Sequence, residues 1–353
     1  MSTIVRAVLE SDLDELWALI GQATYGLTTL QISKQQLSER VEHSHFAFSR
    51  KTEKPSGEPY VFVMEDTAHQ RLVGLSCIFS KTGGYEPFYS YERVTESHHC
   101  DYLNRVQEVE SLHLRKIHDG PTEIGSLFLS ADYRGQGRGR LLSLSRFTFM
   151  FAYPRRFADE VIAEMRGVMT ESGQSPFWEA IGRHFFDMDF PQADNLSTLN
   201  KRFIEDLMPR YPIYINLLPA DAREVLSEVH PHTRPALAML LAEGFEKTRW
   251  VDIFDGGPVV RCRRLAIDAV RRTQPQIFSG TDPHLSGPPQ IVASFHGGFR
   301  ATLAPLASDP PSGDVSSIRL PPDTAELLQL SPGTRVLTTP LYPPPQPTPN
   351  SHS

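Results

Sequence analysis

The stretch DYRGQGRGRLLS, residues 132–143, decides how the rest of the chain is read. Arg134, Arg138 and Arg140 are interleaved with Gly135, Gly137 and Gly139. On one side lies the strand-like run EIGSLFLS (123–130), and on the other the helix-like run GRLLSLSRFTFMFAY (139–153), apolar on several faces and stopped by Pro154. Glycine lets backbone N–H groups approach a bulky anion. The helix that follows adds its unpaired N–H groups and the positive end of its dipole. Together they make a pyrophosphate cradle. The P-loop pattern G-x-x-x-x-G-K-[ST] does not occur here. The dinucleotide pattern G-x-G-x-x-G fails as well, because Arg140 stands where its last glycine should be. The pattern that fits is R-x-x-G-x-G, at Arg134, Gly137 and Gly139.

The composition sets limits around that loop. The chain has 353 residues, 40% of them hydrophobic, enough to bury a sizeable core. A formal charge of −7 argues against a nucleic-acid partner. Cys77, Cys100 and Cys262 are few and far apart, which suits a reducing cytoplasm. The start, MSTIVRAVLESDLDELW, has neither the basic opening nor the apolar core of a signal peptide. No apolar stretch approaches the ~20 residues of a membrane span. A cytoplasmic protein without a membrane partner is expected.

Periodicity gives the remaining elements. TIVRAVL reads as a strand and ESDLDELWALIGQA as a helix; YVFVME and LVGLSCIFS form a hairpin. Residues 83–121 give no clear pattern and read as an insertion, with the acidic positions Glu108 and Glu110 on a solvated helix face. DEVIAEMRGV is a strand. SPFWEAIGRHFFDMDF is a helix running into a strand, with Pro176 in its first turn. Another helix ends at Gly244, a strand runs to Phe254, and the DGG turn leads into PVVRC. Of the 29 prolines, sixteen lie from Pro275 onward, so 274–289 reads as a linker. Residues 290–342 form a small β-rich module, and 343–353 a disordered proline-rich tail.

R-x-x-G-x-G after a strand and before a buried helix resembles the acyl-CoA loop of the GNAT acyltransferase superfamily. The order of elements resembles that fold too. The expected class is α+β: a GNAT-type acyl-CoA N-acyltransferase fold with insertions over 1–273, plus the C-terminal β-rich module. Such a fold implies acyl transfer from a CoA thioester to an amine by direct attack. The amine must be neutral, the reactants aligned, and the thioester oxygen met by a donor. The end of the strand before the loop would supply backbone N–H groups at Leu127, Phe128 and Leu129. Arg134, Gly135, Gln136, Gly137, Arg138, Gly139 and Arg140 would hold the phosphates. Cys77, within an apolar strand, reads as a buried small side chain rather than an acyl carrier.

More specific runs narrow the resemblance. They include GLTTL (26–30), YVFVMED (60–66), SLFLSADYR (126–134), LSLSRFTFM (142–150) and AEMRGV (163–168). Further along come FIEDLMPRYPIY (203–214), EVHPHTRPA (228–236), VDIFDGGP (251–258) and LLQLSPGTRV (327–336). In these the chain closely resembles the arginine N-succinyltransferase family. The resemblance implies transfer of a succinyl group from succinyl-CoA to the α-amino group of L-arginine, the opening step of an arginine-degradation route. It places the catalytic acid/base on His230 and a succinyl-CoA contact on Leu127. A histidine suits the role: with a pKa near 6.5 it can take the amine's proton and return one to the thiolate.

The reactants' charged ends need complementary partners. Carboxylates suit the guanidinium, and arginine or N–H groups suit the reactants' carboxylates. Glu164 and Arg166, on one face of a strand end, and Asp252 are the candidates; Asp255 reads as a turn former. His98, His99, Cys100, His113 and His118 lack metal-ligand spacing, so no metal is expected. A homo- or hetero-oligomer with a similar subunit is expected. Two alternatives stay open. One is a related acyltransferase using ornithine, another basic amino acid or another acyl-CoA; the other is a non-catalytic CoA-binding subunit.

Overall fold

The arginine–glycine loop does lie between a strand and a helix, and the sheet extends outward from that strand. The computed structural model describes residues 3–22, 32–50, 54–199, 202–309 and 316–342. The GLTTL run and the 343–353 tail lie outside them.

The strands β1 (Thr3–Ala7), β2 (Pro59–Asp66) and β3 (Arg71–Phe79) run antiparallel. Next come β4 (Phe88–Cys100) and β5 (Arg105–Ile117), then β6 (Thr122–Leu129), β7 (Glu160–Glu164) and the short β8 (Ile213–Tyr214). A hairpin of β9 (Glu246–Val251) and β10 (Pro258–Arg263) follows. The C-terminal part holds β11 (Gln274–Thr281), β12 (Gln290–Ser294), β13 (Arg300–Ala304), β14 (Ala307–Ser308), β15 (Ser317–Leu320) and β16 (Arg335–Pro340). All are joined in one sheet, whose middle runs β1-β2-β3-β6-β7-β10-β9. That is the strand order of the GNAT fold, with the β4–β5 hairpin inserted after its third strand.

The parallel pair β6 and β7 holds the key irregularity. They are in register only at Thr122–Val161 and Glu123–Ile162. Beyond that β7 stays with β10 over five residue pairs, and β6 stays with β3. Between Gly125 and Phe128, β6 carries an extra residue against β3, and Ser126 takes φ +52°. A bulge of this kind bends a strand away from its neighbour. The sheet therefore splits into a V at this point.

Helices cover both faces of the sheet. α1 (Leu13–Ile20) and α2 (Lys34–Ser49) pack with β2 and β3. On the other side lies α3 (Arg138–Ala152), buried without a break from Leu141 to Met150. That continuous burial explains why its sequence shows no polar face.

Four sequence expectations are corrected. The 83–121 insertion is a long two-stranded arm, and Glu108 and Glu110 sit on β5 rather than on a helix; Glu110 accepts from Arg93 at 2.9 Å. Its outer half is exposed on both faces, so it has no alternation to read. Downstream of Pro176, no strand forms. Ser175 caps α4 (Pro176–Ala180), which breaks into α5 (Gly182–Phe186) and then α6 (Phe190–Leu199). The alternating aromatics mimic a strand, but Phe186 and Phe190 instead pack around Trp178. The strand expected to reach Phe254 stops at Val251, because Asp252 Oδ1 accepts the N–H groups of Phe254 and Asp255 and turns the chain. Last, residues 274–281 of the stretch read as a linker are strand β11, between β15 and β16. Gln276 and Phe278 alternate inward behind Pro275.

The C-terminal strands continue the main sheet through β13, which pairs with β1. A buried ion pair fastens the two parts further. Glu243, fully buried, takes both terminal nitrogens of Arg272 at 2.7 and 2.8 Å. Arg272 Nε donates to the Pro340 carbonyl at 2.8 Å, and Arg140 lies 3.7 Å from Glu243. Removing one member of a buried pair strands the other charge, so Glu243→Ala should cost about 3–5 kcal/mol. Urea unfolding compared with the native chain measures that loss.

Candidate active site

The loop after β6 is shaped by backbone conformation. Gly135, Gln136 and Gly137 have φ of +94°, +51° and +77° in succession, and α3 starts at the next residue. Successive left-handed residues turn N–H groups into an anion-binding concavity, reinforced here by the helix terminus. A Cβ added at Gly135 or Gly139 would meet nothing within 4 Å, so both face open space. Gly137 is different. Its Cβ would come within 2.9 Å of Leu341 and 3.1 Å of Leu303, so this glycine lets the C-terminal strands press against the loop.

The three arginines diverge. Arg134 is exposed. Arg138 is buried, 5.7 Å over the Tyr133 ring, and lines a cavity of about 180 Å³ with Gln136, Thr302 and Asp323. Arg140 turns away from the loop's open side. Its guanidinium lies near Glu243 and the Leu341 carbonyl, 4.5 Å over the Tyr342 ring. Arg140, expected at the phosphates, has its side chain in the structural network instead. Leu127, Phe128 and Leu129 lie half-buried at the bulged end of β6, on one arm of the V.

The other arm is the continuation of β7. Gly167 bridges to Val229, and His230 N–H donates to the Arg166 carbonyl at 2.8 Å. This short added strand brings His230 to the open side of β7. The buried Asp255 carboxylate fixes the arrangement: Oδ2 accepts from Gly167 N–H and Oδ1 from Gly257 N–H, each at 2.8 Å. A Cβ at Gly167 would stand 2.3 Å from the Asp255 carbonyl oxygen, so no other residue fits there.

His230 is half-buried and starts the turn Pro231–Thr233. Its Nδ1 accepts the His232 N–H at 3.2 Å, which leaves the neutral ring's hydrogen on Nε2. Burial first, then the charges of Arg166 and His232, hold the imidazole below the usual histidine range. His232 itself is exposed.

Charged groups gather behind His230. Burial holds the Arg166 guanidinium below its usual range, against the pull of Asp255 and Asp194. Asp194, on α6, is buried. Its carboxyl is pushed up to about 7 by burial and then by Asp252, with Arg166 acting the other way. Glu164 ends β7, half-buried.

The family profile described as "Arginine N-succinyltransferase beta subunit" matches residues 3–269, and that of its C-terminal domain matches 279–340. The chain belongs to the arginine N-succinyltransferase family. It is 40% identical over 339 residues to the arginine N-succinyltransferase subunit beta of Pseudomonas aeruginosa, covering 96% of this chain and 98% of the relative. It is 38% identical over 350 residues to the arginine N-succinyltransferase of Yersinia pestis, with the same coverages. The solved structure of the arginine/ornithine succinyltransferase subunit AI from P. aeruginosa superposes with a TM-score of 0.86. That match has 31% identity and covers 96% of this chain and 99% of the other.

Within this family fold, His230, Arg166, Asp252 and Asp255 come from runs that the sequence had already singled out. Asp194 was missed. In FPQADNL it reads as one polar residue on a helix, and only the packing of α6 buries it. His98 and His99 are neighbours on β4, where successive side chains face opposite ways. Among the described residues no helix is long and apolar enough to cross a membrane, and no group of three or more His, Cys, Asp or Glu is placed to hold a metal ion. Cys77 is buried, and burial pushes its thiol up.

Gly139 offers a cleaner probe of the loop than Gly137, whose replacement would also unseat Leu341. In Gly139→Val the lost glycine offsets valine's modest helix preference, so the melting temperature should hold. CoA affinity by calorimetry should fall at least tenfold. The raised Asp194 pKa gives a second expectation. A carboxyl with its folded pKa above the unfolded one stabilises the fold fully below about pH 4, and that contribution is lost as pH rises through about 7. Asp194→Asn should therefore raise the melting temperature at pH 8 and not at pH 4, as a pH series of thermal scans will report.

Proposed function

We propose that the chain transfers the succinyl group of succinyl-CoA to the α-amino group of L-arginine, with the two arms of the V dividing the work. The observation that carries this reading is that split, with an R-x-x-G-x-G loop beyond β6 and His230 on the extension of β7. On the first arm, the N–H groups of 135–139 receive CoA phosphate oxygens, and the backbone at Leu127 and Leu129 faces the thioester. Arg134 and Arg138 add positive charge there. On the second arm, His230 moves the proton. Its lowered pKa keeps the ring neutral at neutral pH. To act as a base at Nε2 the ring must shift its hydrogen to Nδ1, which means releasing the long bond from His232. The amine attacks the thioester carbonyl, the C–S bond breaks, and the proton taken from nitrogen returns to the thiolate sulfur.

Asp194 and Asp252 are suited to the basic end of the acceptor. A guanidinium between them would relieve the repulsion that raises Asp194. A second reading uses ornithine, which the printed name of the P. aeruginosa structure includes beside arginine. An ammonium fits the same carboxylates without their two-pronged geometry. The relatives named as subunits support an oligomer, and three cysteines without a disulfide suit a reducing cytoplasm.

Thiol release by the purified chain, with succinyl-CoA against a panel of amino acids, tests the reading. Arginine should be turned over fastest. No release by the chain alone, with normal CoA binding, would favour a non-catalytic subunit. His230→Ala should lower turnover by roughly 10²–10⁴-fold while CoA still binds. The native acidic limb should lie below the usual histidine range and flatten in the variant. His232→Ala should lose far less.

A further inference from the structure

Arg166 holds a charged group that the fold does not satisfy. Its Nε and Nη1 are buried and have no hydrogen-bond partner among the described residues. A guanidinium stays charged at any working pH, so it cannot escape this by losing a proton. The two carboxyl groups whose charge acts on it do not answer it. Asp255 uses both oxygens on the N–H groups of Gly167 and Gly257. Asp194 acts on Arg166 only through space, and its carboxyl is high rather than low, the opposite of a well-made ion pair. Buried donors left unpaired are costly, and more so when the group is charged. A ligand's carboxylate would complete it.

The location says which ligand. The Arg166 carbonyl takes the His230 N–H at 2.8 Å, so the guanidinium belongs to the residue bonded to the proton-moving histidine. Both reactants carry a carboxylate on a short tether from the reacting atoms. In the amino acid it sits one carbon from the attacking nitrogen. In the succinyl group two methylenes separate it from the thioester carbonyl.

We propose that Arg166 is the receptor for a reactant's carboxylate, and that it makes the enzyme reject reactants lacking that group. The proposal rests on the reading of His230 and the V as the site of succinyl transfer. It assigns Arg166 to specificity rather than to proton movement. A reactant without the carboxylate would leave Nε and Nη1 unpaired in the transition state as well as in the free protein, and would forfeit their contribution.

The test pairs one substitution with two analogues. Succinyl-CoA or butyryl-CoA is combined with arginine or argininamide, and kcat/KM is measured for the native chain and Arg166→Gln. With the natural pair the variant should lose about a hundredfold or more, the usual consequence of removing one partner of a buried charged pair. If the succinyl carboxylate is the ligand, that loss shrinks to a few-fold with butyryl-CoA and persists with argininamide. If the amino acid's carboxylate is the ligand, the pattern reverses. An equal loss with all four combinations overturns the proposal and makes Arg166 a structural residue. Arg166→Lys covers the case in which glutamine prevents folding. It keeps the charge but not the paired donors, and should show the same selective pattern at smaller size. Failure of the native chain to succinylate arginine at all would sink the functional reading, and would be seen before any variant is assayed.

Discussion

The site depends on one constraint: β6 and β7 cannot stay together. They share two residue pairs and then part, β6 bent by the bulge at Ser126 and β7 held on β10. Each arm is fixed from inside the protein. Under the bulge lies Arg146 of α3, fully buried, with Nη1 3.4 and 3.5 Å from the carbonyls of Gly125 and Cys77, and Nη2 bonded to Ser143. Burial lowers its pKa to about 10. A long charged side chain in an apolar core is expensive, and here it props carbonyl groups that a regular ladder would have satisfied. On the other arm, Asp255 does the corresponding task with its two N–H partners. A buried guanidinium and a buried carboxyl group, the latter pushed well above the usual carboxyl range by burial and by Asp252, stand one on each arm of the gap.

This division also sorts the charge. The loop side is basic and backbone-rich, suited to phosphates. The His230 side mixes one buried guanidinium with buried carboxylates, suited to an acceptor bearing both signs of charge. Arg166 serves that side twice. Its field helps hold the His230 imidazole below the usual range, and two of its buried nitrogens have no hydrogen-bond partner among the described residues. The same positive charge opposes the rise at Asp194. Small changes of charge here should spread through all of these groups, because each titrates in the field of the others.

The elements that flank the V were legible in the sequence, though the bulge at Ser126 and the parting of β6 from β7 were not. Gly135 and Gly137 marked the loop because left-handed backbone favours glycine, and the continuous apolar run of α3 marked its burial. The Asp-Gly-Gly turn marked the β9–β10 hairpin. Other features were illegible for physical reasons. The arm β4–β5 is exposed on both faces over its outer half, so nothing alternates. β11 carries Pro275 and leads into Pro283, Pro288 and Pro289, which together imitate a linker. Asp194 is ordinary until α6 packs it against Asp252. Arg140 sits in the motif, yet its side chain answers Glu243, a hundred residues away, and no spacing rule could reveal that partner. Arg166 was visible as a charged residue at a strand end, but its lack of partners is a property of the folded interior alone.

The joining of β1 to β13 has a further consequence, for how the chain is made. Thr302 Oγ1 donates to the Thr3 carbonyl at 2.7 Å, and Ile4 packs in the same cluster as Phe278, Val292 and Val336. β1 is thus made nearly three hundred residues before its partner β13. During synthesis the N-terminal sheet presents β1 as an open edge, with unpaired backbone groups and Ile4 uncovered. An edge in that state invites pairing with a neighbouring chain. A nascent chain halted before residue 300 would hold its arginine–glycine loop but lack the strand that covers β1. That exposed edge is covered only when β13 pairs with β1.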